Sequence, residues 1–137
     1  MTYDVISRLT ELLLSFKTVG GIEASLVTTR GGVNLASLVP KKTNADALSA
    51  MSSALLNAAD IMASQVNTGP SDRIVIECQH CKLLVVSAGP KALFVALANE
   101  NVNLGELFVN MAITAQKIKT ITNVLLQRVH QCEHRDD

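Results

Sequence analysis

The side chains with the clearest capacity for chemistry are Cys78 and Cys81, separated by Gln79 and His80. A two-residue gap lets two thiolates reach one tetrahedral Zn²⁺ ion, and it is also the spacing of redox-active dithiols. His130, Cys132 and His134 add possible donors near the C-terminus. Their spacing is not the usual one for a second zinc half-site, and they fall at a helix end and in the tail. Cysteines at strand turns also serve as small hydrophobes. The preferred reading is therefore structural or incidental. Metal binding at Cys78 and Cys81 and a redox pair are the lesser readings, and no cofactor is expected.

Other catalytic patterns do not occur. No glycine-rich loop ends in Lys followed by Ser or Thr, so nothing is set up to cradle a nucleotide phosphate. There is no paired-histidine metal helix and no Gly-x-Ser-x-Gly elbow. The acidic residues are scattered. No catalytic residue is assigned, and the chain reads as a non-enzymatic module.

Composition narrows the partners. The 137 residues favour one domain, long enough to bury a core. With 48% apolar and 18% charged residues, the chain should be compact. Lys+Arg and Asp+Glu each number 12, so no net field draws it to nucleic acid or an anionic membrane. That neutrality also removes one defence against self-association. Aromatic residues make up 3% and Trp is absent, so a base-stacking platform is not expected. The longest apolar run, Leu83 to Ala88, is interrupted by Ser87 and too short to insert across a bilayer. The first residues lack the basic start and apolar core of a signal peptide. An odd count of three cysteines fits a reducing compartment. A cytoplasmic location is the expectation.

Periodicity then supplies the elements. Val5, Leu9, Leu12, Leu13 and Phe16 recur at helical spacing over residues 4–17, and Gly20-Gly21 ends that helix. Strands follow at 22–28 and 33–39, joined by Arg30-Gly31-Gly32, whose glycines suit a tight hairpin turn. Thr43 should cap a helix running to about Asn67. Residues 73–78 and 82–88 should form a hairpin around Gln79-His80, with a further strand at 92–98. A last helix is expected from about Asn103 to Gln131, with residues 132–137 a frayed tail of a single 1–131 domain. The order is αββαβββα, an α+β fold. Short turns make the five-stranded sheet antiparallel.

The second helix is the most informative element. At about 100° per residue, Asp46, Ser49, Ser53, Asn57, Asp60, Ser64 and Asn67 fall in an arc of roughly 80°. The rest is almost wholly apolar, an arc roughly twice what packing on one sheet requires. One flank should lie on its own sheet and the other on a second protomer. The expected dimer interface is Ala47, Ala50, Met51, Ala54, Leu55, Ala58, Ile61 and Met62, with Ile74 and Ile76 of the following strand. A strand so rich in β-branched residues is a hazard at a sheet edge unless it is paired.

Several features together resemble the Roadblock family, which includes dynein light chains and prokaryotic regulators of Ras-like GTPases. They are the order of elements, Gly21-Ile22-Glu23-Ala24 entering a strand, the Arg30-Gly31-Gly32 turn, Met51-Ser52-Ser53-Ala54-Leu55-Leu56 in the second helix, and Asn103-Leu104-Gly105 opening the last. The resemblance covers residues 3 to about 125 and lies in the succession of patterned positions. It implies a profilin-like sheet with one helix on one face and two on the other, a homodimer with a shared sheet, and an adaptor role often directed at a small GTPase. Under that reading Ser49, Ser53, Asn57, Asp60 and Ser64 line a partner-binding face, or are simply the solvated side of the helix. Arg30 could act as an arginine finger from its turn, though an ordinary solvated turn residue is the preferred expectation. Two other functions remain open: a structural adaptor subunit of a larger motor or trafficking complex, and a small-molecule sensor.

Overall fold

The computed structural model describes the backbone of residues 2–135 and the side chains of residues 4–124. Its elements are α1 (Thr2–Lys17), β1 (Ile22–Thr29), β2 (Asn34–Leu38), α2 (Ala45–Gln65), β3 (Arg73–Glu77), β4 (Cys81–Ser87), β5 (Ala92–Asn99) and α3 (Leu104–Arg135). This is the expected αββαβββα order. Residues 136–137, the end of the segment expected to fray, lie outside the described residues, as do the side chains of residues 125–135.

The five strands form one antiparallel sheet in the order β2-β1-β5-β4-β3. Three of the four pairings join strands consecutive in the chain, through short turns. The β1–β5 pairing brings the two hairpin groups together and makes β5 central. It is buried along most of its length, and β2 and β3 form the edges.

Strand alternation divides the apolar residues between two faces. Val27, Leu84, Val86, Phe94 and Ala96 point to the face covered by α1 and α3, where they meet Leu9, Leu13, Leu107, Met111 and Ile118. Phe16 packs edge-on against Phe94, with ring centroids 4.9 Å apart. Leu26, Val85 and Val95 point to the opposite face, where Leu48 and Leu55 of α2 cover them.

The caps differ slightly from expectation. Asn44, not Thr43, caps α2: its side-chain oxygen accepts from the Ala47 N–H at 3.0 Å. Asn103 caps α3 in the same way through the Glu106 N–H at 3.0 Å. Helix α2 stops at Gln65, two residues before the expected end, because Asn67 adopts a left-handed conformation with φ 57°. Asn tolerates that region better than most residues.

Candidate functional site

Helix α2 is turned the opposite way from the usual surface helix. Its buried residues are Ser49, Ser52, Ser53 and Leu56. Ser49 Oγ donates to the Ala45 carbonyl at 2.8 Å and accepts from Asn34 Nδ2 at 3.1 Å. Ser53 Oγ donates to the Arg30 carbonyl at 2.6 Å. Asp60 accepts from the Ser71 N–H at 2.8 Å. Ser49 and Ser53 are therefore neither a partner-binding face nor a solvated one, and that expectation is corrected. Asp60 is half-buried, while Asn57 and Ser64 remain exposed.

The cause lies in what the helix packs on. The β1–β2 turn crosses this side of α2, and a turn presents backbone carbonyls that need donors. Ser53 supplies one, and Ser49 and Ser52, which donate to carbonyls of their own helix, are small enough for close approach. At Gly32 the fit is tight: φ is 92°, and an added Cβ would sit 3.1 Å from Ala50 Cα and 3.2 Å from Ser53 Cβ. The helical wheel finds the polar stripe, but it cannot say whether water or a backbone turn lies beneath.

The outward side of α2 is apolar. Met51, Ile61, Met62 and Val66 are 64–72% exposed, and Ala50, Ala54 and Ala58 are exposed between them. Ala47 and Leu55 are half-buried, Leu55 packing toward Ile74 and Leu83. Ile74 and Ile76 are half-buried on β3, which as an edge strand pairs only with β4 in the sheet. None of the residues expected at a dimer interface is buried within the single chain.

Arg30 departs from both of its sequence readings. Its guanidinium donates to Ser87 Oγ and, at 3.1 Å, to the Gly89 carbonyl; it lies 3.9 Å from Asp60. Its backbone N–H donates to the Lys91 carbonyl at 3.1 Å. Arg30 thus ties the β1–β2 turn to the β4–β5 turn and to α2, and is neither a solvated turn residue nor a free guanidinium. No sequence signal points to this, because the partners lie far along the chain.

The remaining candidates fall apart spatially. Cys78 is exposed and Cys81 half-buried, at the tip of the β3–β4 hairpin. A hydrogen bond with Cys78 holds the Cys81 thiol above its ordinary pKa, with smaller contributions from burial and from the charges of Cys78 and Glu23. Among the described residues, no group of three or more His, Cys, Asp and Glu could hold a metal ion. The side chains of His130, Cys132 and His134 lie outside the described residues. On the opposite side of the sheet, a cleft of about 550 Å³ runs between α3 and β3, lined in part by Arg73, Ser87, Phe108, Met111 and Lys119. The Arg73 guanidinium sits 4.0 Å from the centre of the Phe108 ring. No helix among the described residues is long and apolar enough to cross a membrane.

Comparison with known proteins accords with this architecture. The chain is 34% identical over 110 residues to the uncharacterized protein MJ1340 of Methanocaldococcus jannaschii, covering 80% of this chain and 96% of that protein. Its fold is similar to that of the gliding protein MglB from Thermus thermophilus, with a TM-score of 0.79, 22% identity, and coverage of 85% of this chain and 90% of that one. It is also similar to Acanthamoeba castellanii profilin IA, with a TM-score of 0.56, 14% identity, and coverage of 75% and 89%. The family model of the Roadblock/LC7 domain matches residues 8–98. The chain belongs to the Roadblock/LC7 family.

Proposed function

We propose that this protein is a non-enzymatic, cytoplasmic homodimeric adaptor that binds and regulates a Ras-like small GTPase. The observation that carries the dimer is the joint exposure of the apolar flank of α2 and the unpaired side of β3. Covering Met51, Ile61, Met62 and Val66 would contribute roughly 1 to 2 kcal/mol each, since part of each is already covered. Counted on both protomers, that is comparable with the association cost of about 4 to 15 kcal/mol. Pairing β3 with its symmetry mate satisfies the free backbone groups of the edge and makes one continuous sheet. Sedimentation at micromolar concentration tests this: a dimer is expected, and a clean monomer would sink the reading.

The GTPase rests on family membership, because the family includes prokaryotic regulators of such enzymes. The platform is the α2 side of the dimer, with Asn57 and Ser64 still facing outward. Regulation would act through groups of the GTPase itself, since Arg30 is engaged within its own chain. The test is capture of a GTPase from the source cell, followed by hydrolysis assays with and without this protein. Equal binding in both nucleotide states with an unchanged rate would end the regulator reading and leave a structural adaptor.

A further inference from the structure

The Cys78–Cys81 hairpin has a chemistry that neither the dimer nor a GTPase partner uses. The residues Glu77 and Lys82 are cross-strand partners, so Cys78 and Cys81 stand opposite each other at the next position. The Cys78 N–H donates to the Cys81 carbonyl at 2.8 Å, which closes the two strands around Gln79-His80. Directly opposed residues of an antiparallel pair have Cα atoms about 4.5 to 5.5 Å apart. That falls inside the range of about 4.4 to 6.8 Å that a disulfide spans. Both side chains project to the face that carries Ile76 and Leu83, because strand alternation places every second residue there.

The other roles for this pair fit poorly. Buried small hydrophobes they are not, since Cys78 is exposed and Cys81 retains access to solvent. A metal would find two thiolates, and no third ligand joins them among the described residues. From this geometry we infer that Cys78 and Cys81 form a reversible dithiol–disulfide pair, a modification site for low-molecular-weight disulfides such as oxidised glutathione.

The exchange runs in two displacements. The exposed Cys78 loses its proton, and its sulfur attacks one sulfur of the small disulfide. That S–S bond breaks, and one glutathione leaves as a thiol after taking up the proton. Cys81 then gives up its proton and attacks Cys78 Sγ, forming the Sγ–Sγ bond and releasing the second glutathione as a thiol. Two electrons and two protons pass from the protein to the oxidant. The raised pKa of Cys81 leaves a small thiolate fraction for the second step, which the high local concentration of the mixed disulfide beside it offsets.

The test uses the full chain carrying Cys132→Ser, so that only the hairpin pair remains. The protein is equilibrated with mixtures of reduced and oxidised glutathione, quenched in acid, alkylated and weighed intact. The expected product is a single chain lighter by two hydrogens and closed to alkylation at both cysteines, returning to the dithiol with excess reduced glutathione. Adding Cys81→Ser should stop the reaction at the mixed disulfide on Cys78. If that variant fails to fold, the Cys132→Ser chain decides alone. Thiols that stay open to alkylation in every mixture, a mixed disulfide that persists with Cys81 present, or disulfides between chains would each overturn the inference. So would stoichiometric zinc on the tag-free protein that blocks oxidation.

Discussion

Helices α2 and α3 lie on opposite faces of the same sheet and follow opposite rules. Helix α3 sets Leu107, Met111, Ala115, Ile118 and Ile121 against the core, and turns Glu106, Gln116 and Lys117 outward, with Val109 and Ile113 between them. Helix α2 sets Ser49, Ser52 and Ser53 inward and turns Met51, Ile61, Met62 and Val66 outward. The ordinary pattern assumes an apolar surface beneath the helix. Under α3 that holds, because strand side chains lie there. Under the serine stripe of α2 lies the backbone of the β1–β2 turn, so hydrogen bonding decides what is buried. The apolar residues Met51, Ile61, Met62 and Val66 of α2 are left exposed on the single chain.

The contrast can be broken most directly by a charge. Ile61→Asp with Met62→Asp should weaken the proposed dimer by about a thousandfold, on the order of 4 kcal/mol, because carboxylates would be buried without partners. Ile113→Asp on the outer side of α3 should leave the association constant unchanged. Analytical ultracentrifugation of both variants reads the difference, and equal effects would erase the distinction between the helices.

Gly32→Val probes the inward side of α2. A β-branched residue at φ 92° is strained, and its Cβ meets Ala50 and Ser53 within 3.2 Å. Those two penalties together should cost about 3 kcal/mol of stability, read from denaturant unfolding. Arg30→Ala removes the donor to Ser87 and Gly89 and should cost about 2 kcal/mol. A variant of unchanged stability that instead loses stimulation of a GTPase would show Arg30 reaching outward and would overturn its role as a tie. Ser53→Ala leaves the Arg30 carbonyl without its donor and should cost about 1 kcal/mol. Ser64→Ala, on the exposed side, should change stability by less than about 0.5 kcal/mol.

Much of the fold was legible in the sequence, since helical spacing, alternation and Gly or Pro punctuation are local signals. Val5, Leu9, Leu13 and Phe16 mark a buried helical face, and all four are in the core. The tip of the Gln79-His80 hairpin and the edge position of β3 also follow from turns and composition. The direction of the serine stripe did not, because a wheel ranks residues around a helix without naming what each side meets. The cap was missed by one residue because Thr43 and Asn44 both carry suitable oxygens, and backbone conformation selects between them. The cysteine pair was legible as a spacing, but its exposure was not.

The sequence alone determined the elements, their order, the antiparallel sheet and the unusual breadth of the apolar arc on α2. These depend on propensities and on periods of two and 3.6, which act over a few residues. Only the tertiary structure decided that Ser49 and Ser53 face inward, that Arg30 is tied to Ser87 and Gly89, and that Cys78 stands open beside Cys81. The serines depend on the β1–β2 turn they meet, and the Arg30 tie depends on the β1–β5 pairing that joins the two halves of the sheet. That contact bridges residues far apart in the chain, as in Ile22 with Ala98, and no local pattern encodes it.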